Sequence, residues 1–367
     1  MPGLDDEPSA SKRGKNANLG AYFFMSLRNL MSMEKREAVS LRPYNTFGID
    51  ATAAAMCDCH DEAELRAAIV ASAEGRRYVL GGGSNVLFLG DFDGTIIRPL
   101  IGCIDVVSEA GDRVTVRAGA GVVWDDFVAW CVARGLYGAE NLSGVPGRVG
   151  AAPVQNIGAY GVEAKDVIDS VEGLRLDTAG AFRMTAAECD FGYRDSVFKH
   201  SLRGLCVITA VTFRLSRKPA YNLGYGALSE TVSDFGGASL ANVRKAVISI
   251  RDSKLPDPKE TGNAGSFFKN PEVDSGVAGK LKLQYPDMPS YPLPDGRVKI
   301  PAGWLIERSG WKGRSLGRAA VHSRQALVLV NLGGAAGADI VRLCDAVRAD
   351  VLSRFGLDLS PEVNFVS

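Results

Sequence analysis

The feature that most constrains the fold is a stretch of 24 residues, 138–161, in which small residues replace the polar ones that a surface loop would carry. It holds six glycines and four alanines but only two charged residues, Glu140 and Arg148. Other groups can approach a backbone closely where it lacks side chains. The stretch therefore predicts either a glycine-rich core crossing or a loop lying against a large, flat, partly anionic ligand.

A second glycine segment lies at residues 79–87, where an apolar strand runs into Gly81, Gly82 and Gly83 and then into Ser84 and Asn85. Successive N–H groups of such a turn can point at one phosphate. The segment lacks the Lys-Ser/Thr of a P-loop and the G-x-G-x-x-G spacing of a Rossmann turn. A plain tight turn and a phosphate cradle both remain open, but two such loops in one chain suit a dinucleotide better than a lone phosphate.

Charge and composition exclude several classes of function. The 367 residues suggest two or three domains, and 42 Lys plus Arg balance 42 Asp plus Glu, so no general field attracts nucleic acid or an anionic membrane. No window approaches the ~18 consecutive apolar residues of a membrane helix. Seven scattered cysteines and an N-terminus unlike a signal peptide favour the cytoplasm. Neutral charge without an apolar stripe favours a monomer.

The order of the predicted elements indicates an α+β protein. Short strands near 95–98, 103–107, 113–118, 170–176 and 204–215, with few helices, do not form a regular βαβ series. We interpret residues 1–37 as a mobile tail, and the run Leu255-Pro256-Asp257-Pro258 as a boundary near 255 that follows a helix at 240–252. Beyond it we expect a helix at 301–309, a strand at 326–331 and a helix at 337–354.

Two further motifs carry reactive side chains. Aromatic residues around Arg194 in the segment 191–199 are typical of a guanidinium that meets a carboxylate or phosphate, although a surface Arg beside an Asp is commoner. Small residues between Gly262 and Pro271 expose Ser266 on a turn, with Lys254, Lys269 and Asn270 as donors for an anionic or sugar-bearing ligand. No Gly-x-Ser-x-Gly is present, so a hydrolase triad is not favoured.

A run of potential metal ligands, Cys57-Asp58-Cys59-His60, lacks the second ligand pair that structural zinc requires. We interpret it as strand residues that alternate between two faces, and we expect no metal.

Together these motifs resemble one family, UDP-N-acetylenolpyruvoylglucosamine reductase. The resemblance runs from Tyr44-Asn45-Thr46-Phe47-Gly48 through the glycine loops and Tyr193-Arg194-Asp195-Ser196. It continues through 262–271 and Ala302-Gly303-Trp304-Leu305-Ile306-Glu307 to Pro361-Glu362-Val363. Each motif alone is modest, but their order and spacing together are specific.

The resemblance implies an FAD-binding fold of the vanillyl-alcohol-oxidase type, made of two α+β subdomains, plus a third α+β substrate-binding domain. The first subdomain would span 38–104 joined by the C-terminal segment 357–367, the second 105–254, and the substrate-binding domain 255–356. Tyr225 and Tyr291 suggest the longer (type I) subtype, in which a tyrosine loop and the third domain close over the ligand.

The resemblance also implies the reaction. NADPH would give a hydride to tightly bound FAD and leave, and the UDP-N-acetylglucosamine enolpyruvate would then bind in the same cleft and be reduced to UDP-N-acetylmuramate, a precursor of peptidoglycan. Arg194 and Glu362 would polarise the substrate carboxylate and stabilise the enolic intermediate, and Ser266 would donate the proton that completes the reduction.

The remaining site residues follow from the same resemblance. The sugar nucleotide would contact Tyr193, Tyr225, Lys254, Asn270, Tyr291 and Lys299. The FAD would contact Tyr44, Asn45, Thr46, Gly81, Gly82, Gly83, Ser84, Asn85, Val86, Leu87, Asn141, Ser143, Gly144, Val145, Pro146, Gly147, Val149, Gly150, Ala151, Gln155, Asn156, Gly158, Ala159, Tyr160, Gly161 and Arg251.

Two other functions fit part of the pattern. One is an oxidase or dehydrogenase of the same flavin fold that acts on another substrate. A carbinol oxidase needs no proton donor for an enolate, so Ser266 with Lys254 and Asn270 argues against this alternative. A non-catalytic flavin-nucleotide binding protein would not need Arg194, Ser266 and Glu362 together.

Overall fold

The computed structural model describes residues 34–367. The predicted tail is three residues too long, because a strand begins at Lys35 and pairs Lys35 with Cys57. The charged run Lys35-Arg36-Glu37 concealed this strand, but Arg36 donates a hydrogen bond of 2.8 Å to Asp58 on the neighbouring strand. Residues 1–33 of the predicted tail lie outside the described residues.

Twenty strands are present in the described chain. In order they are β1 Lys35–Ser40, β2 Thr52–Cys59, β3 Arg77–Val79, β4 Val86–Phe88, β5 Phe92–Pro99, β6 Ile104–Ala110, β7 Arg113–Gly119, β8 Gly158–Ala159, β9 Val162–Glu163, β10 Ile168–Arg175, β11 Ala181–Thr185, β12 Cys206–Ser216, β13 Gly262–Ser266, β14 Glu272–Asp274, β15 Tyr291–Pro292, β16 Arg297–Lys299, β17 Ser315–Leu316, β18 Ala319–Val321, β19 Val328–Asn331 and β20 Asn364–Val366.

Seven α-helices accompany these strands within residues 34–367. They are α1 Glu62–Ala71, α2 Trp124–Ala133, α3 Leu228–Asp234, α4 Leu240–Lys254, α5 Ser275–Gln284, α6 Ala302–Arg308 and α7 Gly337–Phe355. None of them has the length and apolarity needed to cross a bilayer. The mixed content confirms the predicted α+β class.

Local sequence explains where the principal helices begin and end. The side chain of Asp61 accepts a hydrogen bond from the Glu64 N–H and so caps the start of α1. Ser239 caps α4 in the same way, and α4 ends at Lys254, where the proline run begins. Gly356 ends α7 with a left-handed φ of 69°. The predicted helices at 240–252 and 337–354 are therefore confirmed within two residues.

A four-stranded sheet, ordered β1-β2-β5-β3, forms the first unit. Strand β1 is antiparallel to β2, whereas β2, β5 and β3 are mutually parallel. Carboxyl ends of parallel strands meet at one edge of a sheet, and this is where ligands of open α/β sheets bind. The first glycine segment follows β3 directly and therefore lies at that edge.

The second sheet is antiparallel throughout, with the order β11-β10-β12-β7-β6. Its inner face packs on α2, where the rings of Phe127 and Phe213 lie 4.4 Å apart between centroids and Trp124 lies against both. The long glycine-rich stretch 138–161 contacts the chain just after β7, where Gly150 donates its N–H to the carbonyl oxygen of Ala120 at 3.0 Å.

A third unit, built on the sheet β13-β19-β18-β17 and helices α5 to α7, shares its hydrophobic core with the first. Phe47 of the first unit packs edge-on against Phe267 of the third at 6.2 Å between centroids. The C-terminal strand β20 returns to pair in parallel with β4, next to the first glycine segment.

The cysteine run behaves as a strand. Cys57 and Cys59 are buried in β2, and Asp58 is only partly covered. No cluster of His, Cys, Asp and Glu that could hold a metal ion occurs within residues 34–367.

We predict that Gly337→Ala destabilises the fold. A Cβ at this first residue of α7 would overlap the carbonyl oxygen of Phe88 in β4. Such overpacking costs about 1–3 kcal/mol, to be measured as the free energy of unfolding in urea.

Gly279→Ala is the matched control, because Gly279 lies in α5 with no atom within 4 Å of a built Cβ. Removing a helical glycine there is expected to stabilise the protein by about 0.5–1 kcal/mol. Equal effects of the two substitutions would contradict the packing at Gly337.

Candidate active site

The glycine segment 79–87, here called the first, lies against the long stretch 138–161 through direct contact between their backbones. A Cβ on Gly82 would lie 3.0 Å from the Cα of Gly147, and one on Gly83 would overlap the carbonyl oxygen of Tyr44. Gly83 has a φ of 68°, which favours glycine. These positions therefore require glycine for close approach as well as for conformation.

The N–H groups of the first segment are free to bind an anion. Within residues 34–367, those of Gly81, Gly82, Gly83 and Ser84 donate to no protein acceptor, and Gly83 is buried. Buried N–H groups without a partner are rare in native proteins. A cavity of about 140 Å³ lies beside them, closed on its other side by Pro146, Gly147 and other residues of the long stretch. Donors, cavity and glycines together fit the pyrophosphate of a dinucleotide.

Several predicted cofactor residues use their side chains to shape the loops. Asn45 donates to the carbonyl oxygens of Leu41 and Ile49 at 2.8 and 3.0 Å. Asn141 donates to those of Tyr160 and Asn222 at 2.9 and 2.7 Å. These amides are already paired, so their contribution to a ligand is to hold the backbone that lines its cavity.

Arg251, which lies outside the long stretch in sequence, contacts the stretch at Gly144. Its Nε donates to the carbonyl oxygen of Gly144 at 3.1 Å, and a Cβ on Gly144 would press on the Arg251 side chain at 3.3 Å. Asp125 accepts the N–H of Gly144 at 2.6 Å and two bonds from Arg244 of α4. Burial alone would raise the pKa of Asp125, but these bonds hold that pKa below its ordinary value.

Arg194 projects from a tight turn whose two ends, Gly192 and Asp195, exchange backbone hydrogen bonds of 3.0 and 3.2 Å. Its own backbone is left-handed, with φ of 54°. Its Nη2 donates to the carbonyl oxygen of Gly158 at 2.5 Å. A side chain at Gly158 would collide with the guanidinium, so this glycine of the long stretch provides the space for Arg194.

The turn is tied to the long stretch by two more bonds. Asn156 donates to the carbonyl oxygen of Gly192 at 2.9 Å, and the Ser196 hydroxyl donates to that of Val154 at 2.5 Å. The position of Arg194 is therefore set by the loop that closes the small cavity.

Glu362 meets Arg194 in the interior, with 3.6 Å between the Arg194 Nε and a carboxylate oxygen. Its backbone N–H donates to the carbonyl oxygen of Phe267 at 2.8 Å, and its own carbonyl oxygen accepts from Asn85 at 3.1 Å. Burial raises the pKa of Glu362 above its ordinary value, against the opposing charges of Arg194, Lys269 and Lys199. The carboxyl group consequently keeps its proton to higher pH than an ordinary glutamic acid.

Ser266 lies at the end of β13, one residue before the Phe267 that binds Glu362. Gly265 before it is left-handed, with φ of 69°, and the pairing of β13 with β19 shifts register between Asn263 and Ser266. This bulge leaves the Ser266 side chain exposed while its neighbours Phe267 and Phe268 are buried.

A cluster of polar side chains, Tyr193, Asn270 and Lys299, connects the turn that carries Arg194 with the third unit. The Lys299 Nζ lies 3.9 Å from the ring centroid of Tyr193, and the Tyr193 hydroxyl accepts from Asn270 at 3.5 Å. Asn270 also accepts the N–H of Ala302 at 2.9 Å, which fixes its amide at the start of α6. Three of the predicted substrate residues are thus brought together beside Arg194.

The other three predicted substrate residues are placed at the surface. Tyr225 and Tyr291 are each 58% exposed, and Lys254 is exposed at the end of α4. Tyr225 lies edge-on to Tyr160 at 5.9 Å between centroids. Tyr291 is nevertheless the direct partner of Lys299 in the antiparallel pairing of β15 with β16, so the backbone joins it to the group around Tyr193. Lys254 forms no hydrogen bond or ion pair with that group within residues 34–367.

A larger cavity of about 510 Å³ joins the glycine loops to Glu362. The residues that line it include Gly81, Gly150, Ala151, Lys199 and Glu362. Gly81 and Ala151 line both this cavity and the small one, so the two cavities are neighbours. The two cavities have the combination of apolar walls, free N–H donors and one buried acid that suits a flavin dinucleotide.

Lys199 and Arg148 are not assigned to the site from the sequence, and Lys269 is named there only as a donor for an anionic or sugar-bearing ligand. Lys199 and Lys269 face Glu362, and Arg148 lines the small cavity with a buried Nε that has no partner within residues 34–367. Burial lowers the pKa of Arg148, and the nearby charge of Arg98 lowers it further. Arg148 had a usable signal, since it is one of only two charged residues in the long glycine stretch.

Comparison with known protein families agrees with this geometry. Residues 257–366 match the C-terminal domain of UDP-N-acetylenolpyruvoylglucosamine reductase, and residues 53–180 match an FAD binding domain. The predicted FAD-binding fold is therefore confirmed.

Individual relatives extend the match to most of the chain. The UDP-N-acetylenolpyruvoylglucosamine reductase of Bacteroides fragilis strain YCH46 is 51% identical over 328 residues, covering 89% of this chain and 98% of the relative. That of Burkholderia ambifaria strain MC40-6 is 50% identical over 328 residues, covering 88% and 94%. The crystal structure of the Thermus caldophilus enzyme aligns with a TM-score of 0.65 and 24% identity over 91% of this chain and 99% of that one, which is a likeness of fold.

We predict that Gly83→Ala weakens cofactor binding at least tenfold, which is about 1.4 kcal/mol. Its Cβ would force Gly83 away from Tyr44 and displace the N–H groups that face the small cavity. Titration of the apoprotein with FAD, followed by flavin fluorescence, measures the effect.

Gly48→Ala is the control, because Gly48 has a similar φ of 64° but open space around a built Cβ. It carries the conformational cost alone, about 1 kcal/mol of stability, and should leave FAD affinity unchanged. A Gly83→Ala protein that binds FAD as tightly as the Gly48→Ala protein would contradict the cradle.

Proposed function

The chain belongs to the UDP-N-acetylenolpyruvoylglucosamine reductase family, and we propose that its reaction takes place at Arg194, Glu362 and Ser266, beside the large cavity that Glu362 lines. The predicted family and the predicted class of FAD-dependent oxidoreductase are confirmed. The enzyme uses NADPH and FAD to reduce UDP-N-acetylglucosamine enolpyruvate to UDP-N-acetylmuramate in peptidoglycan precursor synthesis. The observation that carries the site assignment is the buried Glu362 carboxyl group 3.6 Å from the Arg194 guanidinium.

The glycine loops hold the cofactor. FAD, when bound, supplies the hydride carrier between NADPH and the enolpyruvyl double bond. The free N–H groups of Gly81, Gly82 and Gly83 bind its pyrophosphate, with Arg148 adding positive charge on the other side of the small cavity. The larger cavity, which Glu362 and Lys199 line, would accommodate the ring system.

Arg194 and Glu362 stabilise the charge that develops on the substrate carboxylate. Addition of a hydride to the methylene carbon leaves negative charge at the adjacent carbon, which the carboxylate shares as an enolate. The Arg194 guanidinium supplies positive charge and a planar set of N–H donors that match a carboxylate. Glu362, whose pKa burial raises, can donate a hydrogen bond to that enolate as a neutral acid. A preorganised cation and a neutral acid stabilise the enolate better than water does.

Ser266 donates the proton that completes the reduction. Its side chain is exposed, and the carbonyl oxygen of the next residue, Phe267, accepts the N–H of Glu362. A serine hydroxyl is a weak acid, but an enolate carbon is a strong base, so positioning is the contribution that matters. Solvent can return the proton to an exposed hydroxyl.

The sugar nucleotide binds across the turn and the third unit. Tyr193, Asn270 and Lys299 form the part of its site that is already assembled, and Lys254, Tyr225 and Tyr291 supply the outer part. NADPH uses the same cleft, since it would leave before the sugar nucleotide binds and the two reactants need not be accommodated together.

The domain assignments belong to the same proposal. Residues 38–104 with 357–367 and residues 105–254 form the two FAD-binding subdomains, and residues 255–356 form the substrate-binding domain. The pairing of β20 with β4 supports the return of the C-terminal segment to the first subdomain. We place the enzyme in the cytoplasm as a monomer, and the unpaired state of Cys57, Cys59 and the other five cysteines is consistent with a reducing compartment.

We predict that Ser266→Ala separates the two half-reactions. Reduction of the flavin by NADPH should remain near the wild-type rate, because Ser266 takes no part in it. Reoxidation by the enolpyruvyl sugar nucleotide should slow by at least about 100-fold, the usual contribution of a positioned proton donor. Anaerobic stopped-flow absorbance of the flavin measures both steps.

Ser315→Ala, an exposed serine in the same sheet, is the control. A Ser266→Ala enzyme whose flavin is reoxidised by the sugar nucleotide at the Ser315→Ala rate would contradict the assignment. Reoxidation of the wild-type enzyme only by oxygen would instead favour an oxidase of the same fold.

The raised pKa of Glu362 predicts a pH-dependent stability. A carboxyl group whose pKa is raised on folding contributes stability that is present below its ordinary pKa of about 4.3 and is lost as the pH rises through the folded value. Glutamine does not titrate. The melting temperature of holoenzyme Glu362→Gln should therefore rise relative to wild type as the pH increases above about 4.3.

Thermal unfolding at saturating FAD between acidic and neutral pH measures this difference. Glu230→Gln in the exposed part of α3 serves as the control and should show no trend. A difference between Glu362→Gln and wild type that is constant with pH would show that the pKa of Glu362 is not raised.

A further inference from the structure

Lys199 makes a direct contact with the tight turn between Gly192 and Asp195, which carries Arg194. It ends the 3-10 turn Val197–Lys199, which is capped by the Ser196 hydroxyl accepting from the Phe198 N–H at 3.2 Å. The Lys199 Nζ donates to the carbonyl oxygen of Arg194 at 3.2 Å. Its side chain is half-buried and lines the large cavity together with Glu362.

The backbone that Lys199 holds is strained. Arg194 has a φ of 54°, in a region that costs a residue with a Cβ about 1–2 kcal/mol. Such a conformation persists only where its surroundings fix it, and it occurs most often at functional sites. The bonds between Gly192 and Asp195 close the turn, and the Lys199 ammonium group binds the carbonyl oxygen of the left-handed residue itself.

Lys199 also adds charge beside Glu362. The charged and titratable groups around that carboxyl come from three elements: Arg194 and Tyr193 from the turn, Lys199 from the 3-10 turn, and Lys269 from the third unit. Burial lowers the pKa of Lys199, the charge of Lys269 lowers it further, and Asp195 and Glu362 oppose both. The ammonium charge therefore faces the same carboxyl group as the guanidinium.

We propose that Lys199 is a positioning residue for the reduction: its ammonium group fixes the left-handed conformation of Arg194, and this directs the guanidinium to Glu362 and the substrate carboxylate. The role is distinct from those of Arg194, Glu362 and Ser266, because Lys199 acts through the Arg194 backbone. The inference rests on the proposed function, since it assumes that Arg194 stabilises the enolate.

The first test compares Lys199→Met with Lys199→Arg by stopped-flow absorbance of the FAD holoenzyme. In Lys199→Met, reoxidation by saturating sugar nucleotide should slow by about 100-fold, the effect of misplacing a catalytic group by about 1 Å. In Lys199→Arg, which keeps a charged donor, the rate should return to within a few-fold of wild type. The exposed Lys218→Met is the control and should behave as wild type.

A double-mutant cycle separates positioning from an independent effect. If Lys199 acts through Arg194, Lys199→Met should add little to the loss already caused by Arg194→Met. Multiplying losses in the double variant would overturn the proposal. A loss in Lys199→Arg as large as that in Lys199→Met would also overturn it, and this comparison remains available if Lys199→Met folds poorly.

The pH dependence of the reoxidation rate provides a further test, because a purely structural role of Lys199 would not change it. Loss of the Lys199 charge raises the pKa of Glu362, so the alkaline limb of the reoxidation rate should shift to higher pH in Lys199→Met. Lys269→Met should give a similar shift with a smaller loss of rate, because no hydrogen bond joins Lys269 to the Arg194 backbone within the described residues. An unshifted limb in Lys199→Met contradicts the proposal.

The outcomes distinguish this inference from the proposed function. A wild-type flavin that the sugar nucleotide does not reoxidise contradicts the function itself. Normal reoxidation of wild type with an unchanged rate and pH profile in Lys199→Met contradicts only the role of Lys199.

Discussion

The backbone of Glu362 holds the active site together. Its N–H donates to Phe267 of the third unit, and its carbonyl oxygen accepts from Asn85 of the first glycine segment. One residue near the C-terminus thus joins the cofactor loop to the strand that carries Ser266. The parallel pairing of β20 with β4 fixes this residue in register, so a slip of the C-terminal strand would remove the acid from the site.

The two glycine loops explain how a neutral protein can bind a dianionic cofactor. Backbone N–H groups supply partial positive charge without altering the net charge of the chain, and only glycine allows the two loops to approach as Gly82 and Gly147 do. The same stretch then provides Gly158 as the space for the Arg194 guanidinium. Cofactor binding and substrate polarisation therefore depend on one run of small residues.

Burial and charge oppose each other at Glu362, and the balance decides its chemistry. The carboxyl group lies between Arg194, Lys199 and Lys269, which favour its ionised form, yet burial dominates and raises its pKa. A neutral acid beside a permanent cation is suited to a substrate that gains negative charge during the reaction, because it can donate a hydrogen bond without adding repulsion. The third unit contributes to this environment, since it shares its hydrophobic core with the first.

Local sequence patterns are enough to predict the α+β class, the main helices, the break after Lys254 and the two glycine loops. The motifs in their fixed order also predict the family. These features depend on local patterns: periodicity, caps, prolines and runs of small residues. Only the tertiary structure shows which residues surround the reactive side chains. The strand at Lys35 depends on pairing with β2, the cations facing Glu362 come from segments far apart in the chain, and the paired amides of Asn45 and Asn141 depend on backbone brought near by folding. Contacts between distant segments leave no periodic signal in the sequence, so the position of Lys199 on the Arg194 carbonyl oxygen could be found only in the folded chain.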